Sequence, residues 1–509
     1  MPVPNTSVTK SSVGGSPAVQ TNLGVLAILA SAPAGGTAAQ PGIYSNQAAI
    51  AAAFGGGYGP LPEYGAYVSS VSGRPVLLQK VVGSVAASYG SVTKTGTGTF
   101  TVTATAATFP YEHYNVGVTF VTGGTLGTAG ITYTYYVDGV AGLPGSVSGV
   151  QALGTGVVIA IPNTGLSFTL ATTGTSTVVA GDAFTCNTER QLLNNTDTTT
   201  ALAVLNTTRL PWEGVLIDAE YITGNDPTGT LDTWLGAREK VGQFNFGLLN
   251  TRYLLEPTPT AESSATYSAA MLLLVASDAS NRVCVGADGG RVVSLVTGFN
   301  LKRPTSLALG AMAMSLTPDI GTDPAYVGNG PVPGFSINVG GNPSDWDEAN
   351  YGGVTGILDP GRFVTLRTFA SGGPQGVYIT NANVLAPTGS SIVYLQLLRI
   401  LNSACSVAWS TLNTQLSKGV NTVFNSVTGN TNIDPAEAQI IEGVVNGPLA
   451  QALSGQVTNQ NFALNRDDPL NTPGAPVTGN VGVVAKFYIK QFNVIVSLVK
   501  TISVPLGGA

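Results

Sequence analysis

Apolar and polar positions along this chain follow two different patterns. In the first, short unbroken apolar runs alternate with helical spacing. Leu23–Ala30 (LGVLAILA) reads as a buried strand, and Pro75–Val82, Gly214–Ala219, Phe244–Thr251 and Arg282–Ala287 read as further strands. Helices are predicted over Ser45–Phe54, Thr198–Asn206 (with Asp197 as cap), Leu231–Gln243, Thr260–Ser277 and Pro304–Leu316, where Pro304 suits the first turn. Such helix–strand repeats predict an α/β layer with largely parallel strands. The second pattern fills residues 84–187. There Phe100, Val102 and Ala104 alternate with threonines, as do Val116, Val118 and Phe120, then Ile131, Tyr133 and Tyr135, with glycine-rich turns between the runs. This predicts an inserted all-β sandwich or barrel.

Toward the C-terminus, Arg362–Phe369 and Gly376–Leu385 read as a strand pair turning at Gly372–Pro374. A helix follows from Ser391, with Tyr394, Leu398, Leu401, Cys405, Ala408 and Leu412 on one face. Leu397, Ile400, Ala404 and Val407 widen that face until the helix must be buried on more than one side. Gly321–Gly361 reads as a connecting segment. Asp434, Pro435 and Glu437 form a capping-box-like start for a helix running toward Leu453, with a break expected at Gly447-Pro448. Gly482–Val504 alternates as a long strand or strand pair.

Composition narrows the function. Of 509 residues only 9% are charged, against about 25% in an average soluble protein. Such a chain hides surface against partners or coats it with small polar residues, which suits an assembly subunit. The net charge of −6 includes no basic block, so nucleic acid is not an expected partner. Cys186, Cys284 and Cys405 lie far apart and form neither a disulfide framework nor a zinc site. The N-terminus lacks secretory-signal character and the apolar runs are too short to span a bilayer, so an intracellular product without direct membrane insertion is expected.

Candidate chemistry is sparse. The sole histidine, His113, sits beside Glu112 and Tyr114 and reads as part of a surface turn. Asp218 and Glu220 lie where α/β enzymes place acids, and Asp226 and Asp232 follow. A metal-binding carboxylate cluster is one reading, and turn and N-cap acids the favoured one. Asp345, Asp347 and Glu348 flank Trp346 without calcium-loop spacing. Gly55-Gly56-Gly57 lacks phosphate-loop spacing and reads as a structural turn. No catalytic residue, metal or cofactor is therefore assigned.

The run from Arg362 to Ala404 resembles the C-terminal core of bacteriophage contractile tail sheath proteins. There a strand pair leads through an "ITN-x-x-x-LAP" turn into a helix carrying an Arg, matched here by Ile379, Thr380, Asn381, Leu385, Ala386, Pro387 and Arg399. Phe54–Pro60 looks like a longer version of the family's FGxGP passage before a helix, and Arg303-Pro304 with Asp323-Pro324-Ala325 and Gly330 resembles another. Residues 84–187 carry no such likeness. With the insert over 84–187 read from its own pattern, the resemblance implies a multidomain α+β and α/β fold: an arm over 1–20, a discontinuous sheath domain over 21–83 and 188–340, a C-terminal core over 341–493 and a second arm over 494–509. It also implies a non-enzymatic subunit of a myovirus virion, assembled in the host cytoplasm. That subunit would polymerise with itself as hexameric rings around a tail tube protein, with baseplate and tail terminator proteins as further partners. Its arms would exchange strands through Val3, Val8, Val494, Val496, Leu498 and Ile502. The alternative is a surface adhesin or another particle-coat protein that binds through the β insert.

Overall fold

The computed structural model describes residues 24–32, 41–105, 109–138, 146–171, 176–207, 210–222, 224–250, 279–287, 291–295, 300–301, 304–337, 358–369, 374–415, 419–471 and 477–486. The predicted helix Thr260–Ser277 lies outside them, as do Val3, Val8, Val494, Val496, Leu498, Ile502 and Asp345–Glu348. The fold is mixed α/β. Its centre is a six-stranded sheet of β1 (Leu26–Ala30), β2 (Gly42–Tyr44), β3 (Val76–Lys80), β4 (Gly214–Asp218), β5 (Phe246–Asn250) and β6 (Val283–Gly286), ordered β2-β3-β1-β4-β5-β6. All neighbours are parallel except β2 against β3. β1 is buried at every position, as its unbroken apolar run requires in a sheet covered on both faces.

Helices α2 (Pro60–Ser72) and α5 (Thr305–Ser315) pack on one face of the sheet, and α3 (Asn195–Thr207) and α4 (Pro227–Glu239) on the other. α1 (Gln47–Ala53) begins at Asn46, whose side chain accepts from the Ala49 N–H, and ends at Gly55–Gly57, all at positive φ. The triple glycine is thus a structural turn.

Several boundaries differ from expectation for identifiable reasons. α3 starts at Asn195, because Asn194 and not Asp197 is its cap. The Asp197 N–H donates to Asn194 Oδ1 at 2.8 Å and the Asn194 N–H to Asp197 Oδ2 at 2.9 Å, a reciprocal capping box. α4 starts four residues before Leu231, where Asp226 caps Gly229 and Pro227 takes the first position.

The strands at 362–369 and 376–385 form a ladder only at Leu366–Arg367 and Tyr378–Ile379, with one further bond from the Thr380 N–H to the Thr365 carbonyl. Flanking residues extend the exposed edge of β6 instead. Val364 exchanges bonds with Val285 and Ala287, and Leu385 with Val283 and Ser280. This coverage leaves the β6 edge no unpaired stretch at which to aggregate. Residues 391–394 are extended, so α6 spans Leu395–Asn413. Leu395 and Leu398 enter the main core, while Ile400, Ala404, Val407 and Ala408 enter a separate one. The helix is therefore buried on two sides, as its wide apolar face demands.

That second core is closed by α7 (Pro435–Ala452) and by the antiparallel hairpin β7 (Val457–Leu464) and β8 (Gly479–Ala485). α7 continues through Pro448. The residue is partly exposed, so the carbonyl that loses its donor faces the surface. Asp434 caps α7 at Ala436, but Glu437 accepts from Asn421 instead of completing a box.

Residues 88–189 form short strands around a core of their own. Phe100 stacks edge-on to Phe120 at 5.3 Å, and Phe168 to Phe184 at 5.1 Å. The chain leaves and returns side by side, since Val85 and Leu192 exchange backbone bonds of 3.2 and 3.0 Å.

Candidate functional site

The densest group of ionisable side chains lies at the C-terminal end of the parallel sheet, where the insert leaves it. Arg190, 1% exposed, sends Nη1 to Asp218 Oδ2 at 2.8 Å and to Glu112 Oε2 at 3.0 Å. Its Nη2 reaches the Asp218 carbonyl at 3.0 Å and Ser31 Oγ at 3.2 Å. Asp218 is fully buried and also accepts from Asn250 at 3.0 Å and the Tyr64 hydroxyl at 3.3 Å. His113 stands between the Thr188 carbonyl, 2.8 Å from Nδ1, and the Glu220 carboxylate at Nε2. Both ring nitrogens thus face acceptors, which fits an imidazolium.

His113 is therefore no surface-turn residue, and Asp218 and Glu220 are neither turn nor cap acids. Asp226 does cap α4, while Asp232 pairs with Arg282 at 3.0 Å. Burial raises the Tyr221 phenol above its ordinary value, which keeps it neutral beside the cluster. No group of three or more potential ligands is arranged for a metal among the described residues. Chemically the cluster is a weld. One carboxylate from the sheet, Asp218, and one from the insert, Glu112, share the Arg190 guanidinium where the insert returns, and each opposite charge offsets the burial of the other.

A second weld is built on the sequence motif. Arg399, 1% exposed on α6, pairs Nε and Nη2 with the two oxygens of Glu213 (Nη2–Oε2 3.1 Å). Its Nη1 reaches the Ala313 carbonyl at 2.8 Å, and Nη2 also reaches Thr317 Oγ1 at 3.0 Å. The free lone pair of Glu213 takes the Gly24 N–H at 2.8 Å. One bidentate pair thus ties the C-terminal helix to α5 and to the entries of β1 and β4. Asn381 and Asn383 both donate to Asp359, at 2.9 Å each, and Asn383 also donates to the Phe363 carbonyl. The Thr380 N–H donates to Thr365, Ile379 is buried, and the Pro387 carbonyl closes a turn with Ser390. Arg399 and Asn381 are thus structural fasteners. Their partners Glu213 and Asp359 were not singled out by pattern, nor were Asn383 and Arg190.

The hairpin β7–β8 has two unlike edges. On β7 the Asn446 side chain accepts from the Phe462 N–H at 2.7 Å and donates to its carbonyl at 3.1 Å, and Glu442 takes the Leu464 N–H at 2.9 Å. Among the described residues no strand pairs with the outer edge of β8.

No protein-family model and no curated protein matches this chain. Solved structures do. A sheath tail protein from Listeria innocua is 13% identical with a TM-score of 0.41, covering 91% of this chain and 95% of its own. A sheath tail protein from Desulfitobacterium hafniense is 11% identical with a TM-score of 0.43, over 91% and 97%. The helical sheath of the anti-feeding prophage, in its contracted state, is 9% identical with a TM-score of 0.47, over 98% and 100%. The chain is similar over most of its length to sheath proteins of contractile tail-like particles, at low identity.

Proposed function

We propose that this chain is the structural, non-catalytic subunit of a phage-type contractile tail sheath. It polymerises as hexameric rings around a tail tube protein, between baseplate and tail terminator, and contraction drives the tube through the host envelope. The observation that carries this reading is the ITN…LAP…Arg run. Its Arg399 is spent inside the subunit, fastening the C-terminal unit to the α/β layer, and Asn381 is held by Asp359 within the C-terminal unit. A subunit that transmits force needs such rigid internal joints. The cluster at the sheet end supports a structural role for the same reason, because Asp218 is satisfied by its own neighbours.

The terminal segments Pro2–Val19 and Val494–Leu506 act as arms that add strands to neighbouring copies, with Val3, Val8, Val494, Val496, Leu498 and Ile502 in the paired stretches. The receiving edge is β8, since Asn446 and Glu442 occupy that of β7. The protein needs no cofactor, binds no nucleic acid and belongs to the tail of a virion assembled in the host cytoplasm. Negative-stain microscopy of the purified protein tests the reading. Hollow striated tubes are expected, and a folded protein that never polymerises counts against it.

A further inference from the structure

At the opposite end of the sheet, where α3 and α4 finish, lies a cavity of about 300 Å³. Leu205, Asn206, Trp212, Arg238, Gln243 and, from α6, Ser406 line it. Trp212 and Trp234 stack 5.7 Å apart with ring planes 8° from parallel, and the Arg238 guanidinium lies 4.4 and 4.9 Å from the two ring centres. Nε donates to Asn245 at 3.0 Å and Nη1 to Asn206. Arg238 is only 9% exposed. The two most deeply buried arginines, Arg190 and Arg399, each meet carboxylates. Arg238 meets none among the described residues, and burial pushes its guanidinium down to about 10. The C-terminal carbonyls of α3 and α4 supply only partial negative charge here. A deeply buried cation with neutral partners, beside a polar cavity, has no carboxylate among the described residues to offset its desolvation.

We propose that this cavity is a carboxylate-binding site, with Arg238 as the cation that receives the carboxylate and the Trp212–Trp234 pair as the platform that holds the guanidinium. The carboxylate comes either from a free small organic acid or from an Asp or Glu side chain of a second copy of this chain. This assignment is independent of the sheath reading.

Three of the chain's four tryptophans report on the site, since Trp409 packs against Gly242 at its rim. Full-length protein at low ionic strength is titrated with malonate, against chloride at matched ionic strength, while tryptophan fluorescence is followed. For a free acid, a saturable change specific to malonate is expected, with affinity at least about tenfold weaker in Arg238→Met. For a carboxylate from a second copy, sedimentation shows self-association that Arg238→Met weakens and malonate competes away. Gln243→Glu places a carboxylate at the cavity itself. It is expected to raise the melting temperature and abolish the malonate response, and it keeps the test open if Arg238→Met fails to fold. The proposal is overturned if malonate acts no differently from chloride and self-association is unchanged by Arg238→Met. It is equally overturned if Gln243→Glu lowers the melting temperature and leaves any response intact.

Discussion

At the residue scale, the buried bidentate pair Arg399–Glu213 joins the C-terminal unit to the α/β layer. Arg399→Met strands the Glu213 carboxylate and is expected to cost about 3–5 kcal/mol. Adding Glu213→Gln, which keeps an acceptor for the Gly24 N–H, is expected to recover much of that loss in denaturant melts. An additive double mutant contradicts the pairing. Arg399 stands out in the sequence as the only charge between Val377 and Gln415. Its partner lies 186 residues away, and no local spacing names it. A second residue prediction concerns Asp197. Burial opposes its charge, but bonds from the Asn194 N–H and from the Ser84 hydroxyl and N–H outweigh this and hold it below the usual carboxylate value. With a depressed folded value, its contribution is complete above the unfolded pKa of about 3.9 and is lost as pH falls through the folded one. Asp197→Asn, which removes the charge from the bonds to Ser84 and Asn194, is expected to lower stability by about 1 kcal/mol at neutral pH and to flatten this acid-side decline, both read from melts across pH. An unchanged pH profile refutes the assignment.

At the element scale, the informative feature is the asymmetry of the β7–β8 hairpin. Phe462 faces Val481 and gives both its backbone groups to Asn446, so alternation along an antiparallel pair turns Val481 and Val483 outward on the far edge. Val483→Pro removes an outward donor without breaking the ladder to β7. The hairpin should persist by hydrogen exchange while polymerisation is lost, and polymerisation at wild-type yield excludes β8 as the receiving edge. The central strands were legible because their apolar runs have no polar face to confuse them. β7 (VTNQNFAL) was not legible, because asparagine, glutamine and threonine appear on both its faces. The helix starts slipped where a cap pairs with a distant or unexpected residue. α4 slipped for a different reason, since the Asp226-Pro227 signal was present but the apolar period was counted from Leu231. The strands at 362–385 shortened because Val364 and Leu385 bond to β6, a choice that only the assembled sheet makes.

At the scale of the whole molecule, one interleaved α/β layer carries the C-terminal unit through the Arg399–Glu213 pair and the β6 edge, and the β insert beside Arg190. The insert was legible as a β unit from its alternation. Its neck was not, because His113 and Glu220 come together only where the chain re-enters the sheet. Replacing residues 88–189 with a short Gly-Ser linker should leave a folded protein that still polymerises, since Val85 and Leu192 already adjoin. A deletion that is folded but unable to polymerise contradicts the insert's independence. The sheath account itself is tested most directly by helical reconstruction of tubes formed by the full-length protein. It predicts that residues 494–504 of one copy lie as a strand against Gly479–Ala485 of another, and that truncation after Lys490 yields folded monomers. Residues 494–504 paired only within their own subunit, or tubes of normal length from the truncated chain, would contradict it.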